Sequence, residues 1–404
     1  MSLNTVAQPS VDVDLLQTPF SESLDDEIKS TVANAIWGFD LEDSDRLIRL
    51  AYYFDYYIDE TTSTVVRTTK RDAVKTPIQS HAELVRFIHL LKQHPAKTRK
   101  DIKLAWQVSD ASSTLNLDAA LDLAVRVMFM TSCRSPTAYN IITTGQVFRP
   151  IWKEKESLES FMGRIFPRYE LDEGSKSDTI RVQKLKAYYL NDYASIRINW
   201  TNNLPDHLAL QITGQRKSLC VFRHSGFLEM SSHALVEEDI GIPMAQSLSL
   251  GCLPPDLVSE TLRTINLLFP ENDEKSRLLL SKEVQEKHLD PRLLGPFQLF
   301  HGYHENPRNI MLPADIKGLF ENYHYWGERL YRLWKEADDP TPMTKVEIWS
   351  ESRKSPRFVY WAGVIALSFA LFFGIVASVL GAAQVWISYC SWKGPTKAGC
   401  GGRS

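Results

Sequence analysis

Cysteine is scarce in this chain. Five are spread over 404 residues, at Cys133, Cys220, Cys252, Cys390 and Cys400, with no C-x-x-C pair and no zinc-like spacing. That pattern argues against a disulfide framework and suits a reducing compartment. Charge of one sign is never concentrated: 46 Lys and Arg face 49 Asp and Glu, for a formal net charge of −3. Without a basic block, nucleic acid is not expected as a partner. The short catalytic signatures are missing as well. There is no G-x-G-x-x-G, no G-x-x-x-x-G-K-[ST], no H-E-x-x-H and no G-x-S-x-G. No residue pattern calls for a cofactor or a metal. The first twenty residues lack the basic and apolar regions of a signal peptide, and no internal repeat is visible.

What is present is a large apolar budget, 44 % hydrophobic against 24 % charged residues, enough for a sizeable core. Its most distinctive part is Phe358 to Tyr389, which carries no Asp, Glu, Lys, Arg or His. A hydrocarbon core about 30 Å thick needs about 20 apolar residues in a helix, and this run exceeds that. Trp361 lies near one end, and Trp386 and Tyr389 near the other. The two tryptophans are about 38 Å apart along a helix, which suits two interfacial aromatic belts. Ala362, Ala366, Ala370, Gly374, Ser378 and Ala382 form a stripe of small residues spaced by four. Such a stripe suits self-association or a partner helix, although small residues are common in membrane helices in any case.

Because most of the chain precedes this span, the sequence predicts a cytosolic body on a C-terminal tail anchor, with the lipid bilayer as its partner. Arg353, Lys354 and Arg357 crowd the near flank, while Lys393, Lys397 and Arg403 are spread along the tail. In this topology Cys390 faces away from the cytosol and is not a palmitoylation site. The sequon Asn199-Trp200-Thr201 matters only for a lumenal body.

The expected organisation is an N-terminal arm (1–20), a helical region (21–170), a mixed, mainly helical region with short strands (179–340), a link (341–357), the transmembrane helix (358–389) and a tail (390–404). The polar stretch 171–178 is the candidate boundary. Helices are predicted over Ser23–Ala35, about Asp43–Ile58 with Leu47, Leu50, Ala51, Phe54 and Ile58 inward, from the Ser80-x-x-Glu83 capping box, over Leu115–Met130, and around Leu158–Phe166. The Thr-rich segment after Glu60 reads as a loop or short extended piece. Ile180–Ala194 reads as helix, and Ile196, Ile198 and Trp200 alternate as a strand. Leu208–Phe222 reads either as a hairpin or as a helix over Leu204–Leu210 with a lone strand. A helix opens at Pro254-Pro255, and one long amphipathic helix is predicted over Asp315–Glu336. The fold class is therefore mainly α-helical, with a small β element in the second half and one transmembrane helix.

Few residues suggest chemistry. Asp55 and Asp59 lie four apart on one helical face, with Glu60 beside them. Such a face could hold Mg²⁺ for a diphosphate, but no second metal motif accompanies it, and a solvated helix face fits the same residues. His207, after Asp206, could donate a hydrogen bond in a helix–strand junction. His301 and His304 flank a glycine and suit a loop. The run Tyr52, Tyr53, Tyr56 and Tyr57 divides between core and a contact surface.

The phrases INWTNNLPDHL (198–208), LPPDLVSETLRTINLLFP (253–270) and RFVYWAGVIALSFALFFGIVASVLGAAQV resemble a set of uncharacterised single-pass membrane proteins of filamentous fungi. The resemblance spans roughly 180 to 390 and carries no catalytic residues. It implies a fungal source and an anchored helical body, in a family sometimes found beside secondary-metabolite or incompatibility genes. Two functions follow as expectations. One is a non-catalytic, membrane-anchored accessory or interaction protein. The other is a membrane-associated enzyme or accessory factor of terpenoid or polyketide biosynthesis, with Asp55, Asp59, Glu60 and His207 as its candidate residues.

Overall fold

Apolar residues at helical spacing shape the first half of the chain. The computed structural model describes residues 19–20, 23–38, 44–69, 76, 78–109, 115–133, 149–169, 179–213, 216–233, 242–295, 313, 315–341 and 356–393. They fall in two units, Met1–Pro340 and Thr341–Ser404. The stretch 171–178 lies outside the described residues, and the regions on either side of it belong to the first unit.

In α1 (Asp26–Trp37), Ile28, Val32 and Ala35 are buried, and Gly38 closes the helix in the left-handed region. The predicted helix over 43–58 is two helices, α2 (Ser44–Arg49) and α3 (Ala51–Thr69), meeting at Leu50. Ala51, expected inward, is exposed, because the break resets the helical phase. The Thr-rich segment after Glu60 is helical through Thr69, against expectation. The Thr61 hydroxyl donates to the Tyr57 carbonyl (2.8 Å), Thr62 to Ile58, and Ser63 to Glu60 (3.3 Å). These back-bonds hold polar, β-branched residues on a helix that is anchored by its buried first half.

The capping box of α4 (His81–Gln93) forms as predicted, Ser80 accepting from the Glu83 amide. An unforeseen helix, α5 (Arg99–Ser109), follows. Its Arg99 is fully buried between Asp118 and Asp122, at 3.1 and 2.8 Å, and over the Trp152 ring. Next come α6 (Leu117–Phe129), capped by Asn116, and α7 (Leu158–Ile165). Helix α4 packs on α1 and α6, and α3 on α6.

The predicted helix over 180–194 is a 3₁₀ turn (Val182–Leu185) followed by α8 (Ala187–Asp192). The sheet then forms in the order β1-β3-β2 from β1 (Ile196–Thr201), β2 (Leu210–Thr213) and β3 (Arg216–Phe222). The hairpin alternative holds for β2 and β3, which are antiparallel with Leu210 opposite Leu219. Between β1 and β2 the chain makes a 3₁₀ turn at Leu204–Asp206. This turn lets β1 run parallel to β3, Ile198 opposite Leu219. As the central strand, β3 is buried almost throughout.

Helices α9 (Ser225–His233), α10 (Met244–Ser249), α11 (Pro255–Leu268) and α12 (Glu274–Lys287) follow, and α11 buries Leu257, Thr261, Leu262, Ile265 and Leu268 as predicted. Gly251, after α10, is fixed by sterics: its φ is +80°, and a Cβ there would sit 1.9 Å from the Ile36 carbonyl oxygen. The long helix predicted over 315–336 is broken into α13 (Ile316–Asn322) and α14 (Gly327–Asp338). The second unit contains α15 (Pro356–Lys393), which includes the whole predicted span.

Candidate functional site

Helix α3 places the predicted acids on two faces. Asp55 and Asp59 are exposed, whereas Glu60 is half-buried and pairs with Arg126 at 2.7 Å. Burial opposes the Arg126 charge, but Glu60 and its other neighbours outweigh it and raise the guanidinium further. The tyrosines between the acids belong to the core. Tyr53 donates to the Val127 carbonyl (2.9 Å), Tyr56 to that of Arg126 (3.3 Å), and the Tyr57 hydroxyl meets His81 Nδ1 at 2.8 Å.

Arg223, which follows β3, lies within electrostatic reach of the exposed acids. Burial lowers its guanidinium below the ordinary value, while Asp59 and Asp55 pull it back up. Arg223 Nε lies 3.3 Å from His224 Nε2, and that nitrogen lies 2.9 Å from Asn202 Oδ1. His224 is buried against the Tyr56 ring at 5.7 Å. Its pKa is pushed down to about 3, first by burial and then by Arg223. The patch is thus a mixed-charge surface, Asp55–Asp59–Arg223, lying over a neutral, hydrogen-bonded histidine. Among the described residues no group of three or more His, Cys, Asp and Glu is arranged to hold a metal ion.

His207 is elsewhere, at the centre of a polar knot made by residues 201–208. Its Nδ1 accepts from the Phe222 amide (3.1 Å), so Nε2 carries the proton and donates to Thr264 Oγ1 (2.7 Å). Thr264 in turn donates to the Thr261 carbonyl at 2.7 Å. The ring packs edge-on to Trp326 at 5.0 Å, and burial with Arg329 pushes its pKa down to about 3. Both nitrogens are engaged, and the side chain joins β3 to α11. Around it, Asn203 Oδ1 accepts from the Ser132 amide (2.7 Å), and Arg329 donates to the carbonyls of Pro205 (2.7 Å) and His207 (2.5 Å). Asp206 is buried near Arg329 and counters the pull of burial on that guanidinium.

Sequence reasoning missed Asn202, Asn203, Arg223, His224, Glu260 and Arg329. The signal for the first two was available: polar residues following directly on the alternating strand that ends at Thr201 must be exposed or mutually bonded. Arg223, His224, Glu260 and Arg329 acquire their partners only through tertiary contact. His301 and His304 lie outside the described residues.

In α15, Gly363–Trp392 is a 30-residue segment whose most apolar 18-residue stretch has a mean hydropathy of 2.5 and is not buried. It is long and apolar enough to cross a membrane. Ala366, Ala370, Gly374, Ser378 and Ala382 are all exposed on it, and the Ser378 hydroxyl is spent on the Gly374 carbonyl of its own helix (2.9 Å). Trp386 and Tyr389 are exposed at its C-terminal end. The side chains of Trp361 and Ala362 lie outside the described residues. In comparison with known proteins, no family model, no curated protein and no solved structure matches this chain.

Proposed function

We propose that this protein is a membrane-anchored accessory or interaction protein, held by α15 as a single span with its body on the cytosolic side. The observation that carries the reading is the span itself. A 30-residue segment, with a most apolar 18-residue stretch of mean hydropathy 2.5, leaves its apolar side chains uncovered. In water they would form an aggregating surface, and a bilayer is the solvent that satisfies them. Three basic residues, Arg353, Lys354 and Arg357, stand close together before the span, which favours a cytosolic body. Cys133, Cys220 and Cys252 in the body are free thiols, in keeping with a reducing compartment. The side chains that suggested catalysis support an interaction role better. Glu60 is neutralised by Arg126, His207 has both nitrogens occupied, and Asp55, Asp59 and Arg223 form a surface suited to a charged partner. The small-residue stripe offers a second contact, helix to helix, within the membrane.

Alkaline carbonate extraction of membranes tests the anchor. The full chain should stay in the pellet, and a chain lacking 358–389 should move to the supernatant; extraction of the full chain would overturn the reading. Rescue of a deletion strain tests the role. A D55N/D59N variant that stays folded and membrane-bound should lose binding to a charged partner while substrate turnover plays no part. If extracts of the rescued strain convert a lipophilic metabolite and that variant abolishes the conversion, the protein is an enzyme instead.

A further inference from the structure

Ahead of α1, two residues cross the start of α4. Pro19 forms an antiparallel bridge with Ser80, and the Phe20 amide donates to the Gln79 carbonyl at 2.9 Å. Phe20 is half-buried, and its ring meets the His81 ring edge to face at 5.0 Å. His81, the first residue of α4, is 1 % exposed. The Tyr57 ring from α3 stacks on it, and the Tyr57 hydroxyl lies 2.8 Å from Nδ1. Burial raises the Tyr57 phenol, so the hydroxyl keeps its proton and donates it to Nδ1. The proton of the neutral ring is therefore on Nε2, a buried nitrogen with no hydrogen-bond partner among the described residues. We infer that Pro19 and Phe20 form an acid-released strap, which seals His81 while the ring is neutral and lifts from α4 when the ring takes a second proton.

A charged ring has nothing to hold it in the closed form. Both nitrogens of an imidazolium donate, so Nδ1 can no longer accept from Tyr57, and Nε2 still lacks an acceptor. The ring also stands at the positive end of the α4 dipole. Tyr57 is the titratable group in contact with it. Glu83, on α4 itself, is engaged elsewhere: its Oε2 accepts from the Gln79 and Ser80 amides at 3.0 and 3.4 Å, on the segment that seats the strap. Among the described residues no charged side chain of α1, α3 or α6 offsets the burial, which alone lowers the ring from 6.5 to about 4. The strap itself is held by one backbone hydrogen bond, an isolated bridge and a half-buried ring. Lifting two residues therefore solvates the imidazolium with far less loss than unfolding α4. The closed form binds the proton more weakly than the open one, so opening is favoured as the pH falls from 6.5 toward 4. Between pH 6.5 and 4.5 the shift toward the open form reaches up to about 40-fold.

Hydrogen exchange on the detergent-solubilised full chain tests this, read by fragmentation mass spectrometry and normalised to the unfolded-chain rate at each pH. Protection of the Phe20 amide should fall between pH 6.5 and 4.5 by up to about 40-fold. The amide of Val125, buried in α6, should stay far better protected throughout. In H81N the side-chain oxygen can still accept from Tyr57 but cannot become charged, so Phe20 protection should not change with pH. Exchange of the ring C2 hydrogen reads the His81 pKa directly, and F20A should move it back toward 6.5. Flat Phe20 protection in the natural chain, or an equal fall in H81N, would overturn the strap. So would Phe20 protection equal to that of Val125, since the opening would then be global, or a His81 pKa that F20A leaves unmoved.

Discussion

At the residue scale, the buried histidines set how the body responds to acid. His207, His224 and His81 are all neutral in the fold, their pKa values lowered from 6.5 to about 3, 3 and 4, chiefly by burial. The unfolded chain binds protons on these rings below pH 6.5, and the folded chain does not. Their contribution is therefore complete above pH 6.5 and is lost progressively as the pH falls toward 3. Glu260 works in the opposite sense. Burial raises its carboxyl from 4.5 to about 7, so its contribution is complete below 4.5 and lost as the pH rises through 7. Each group changes stability by about 1.4 kcal/mol per pH unit within its window. Three histidines outweigh one carboxyl, and the thermal midpoint of the detergent-solubilised chain should fall between pH 6.5 and 5. A flat or rising midpoint would show that the rings are charged in the fold. H207A leaves the Phe222 amide and the Thr264 hydroxyl without their partner, and should cost about 3 kcal/mol in a urea titration.

At the element scale, the break between α13 and α14 is made by Glu260, a side chain of α11. Its carboxylate accepts from the Tyr325 amide at 2.8 Å and from the Trp326 amide at 2.5 Å, just before α14 begins. A carboxylate delivered from another helix thus satisfies amides that a continuous helix would have bonded internally. E260A should cost about 3 kcal/mol, since two buried amides lose their acceptor. E260Q keeps one acceptor oxygen, so it should cost less and should also abolish the rise in stability that Glu260 gives on going from pH 7 to 4.5. Equal costs for the two variants would mean that the carboxylate is not the acceptor that matters. The same break shows where sequence reading stops. Ile316, Leu319, Phe320, Tyr323, Trp326, Leu330 and Leu333 keep an apolar stripe through the break, so periodicity alone joins the two helices. Nothing local announces that Glu260, more than 60 residues earlier, will interrupt them. Helix α3 is the reverse case: Thr-rich propensity argued for a loop, and hydroxyl back-bonding with a buried first half carried the helix on. The Ser80 capping box, the β2–β3 hairpin and the span were legible because their signals are local. For the candidate site, the exposed pair Asp55 and Asp59 was legible from spacing, whereas its counter-charge Arg223 arrives from a distant strand.

At the scale of the whole molecule, the question is which side of the bilayer each end of α15 faces, and Asn199 reports on it. Asn199 is exposed on β1, and its sequon partner Thr201 is half-buried, accepting from the Asn203 amide at 3.0 Å. Glycan transfer acts on chains entering the lumen, so the decisive condition is the compartment in which residues 199–201 emerge. A cytosolic body predicts that Asn199 stays bare, although the sequon is intact and the side chain exposed. The same orientation predicts that a sequon added beyond Ser404 on a short polar extension is glycosylated. Endoglycosidase digestion reads both as gel shifts. A shift on the extended chain that persists when Asn199 is replaced by Gln supports the orientation. A shift on the unmodified chain that disappears in N199Q would place the body in the lumen. The basic cluster Arg353, Lys354 and Arg357 would then stand on the side that its charge disfavours, and the free thiols of the body would be explained by their burial alone.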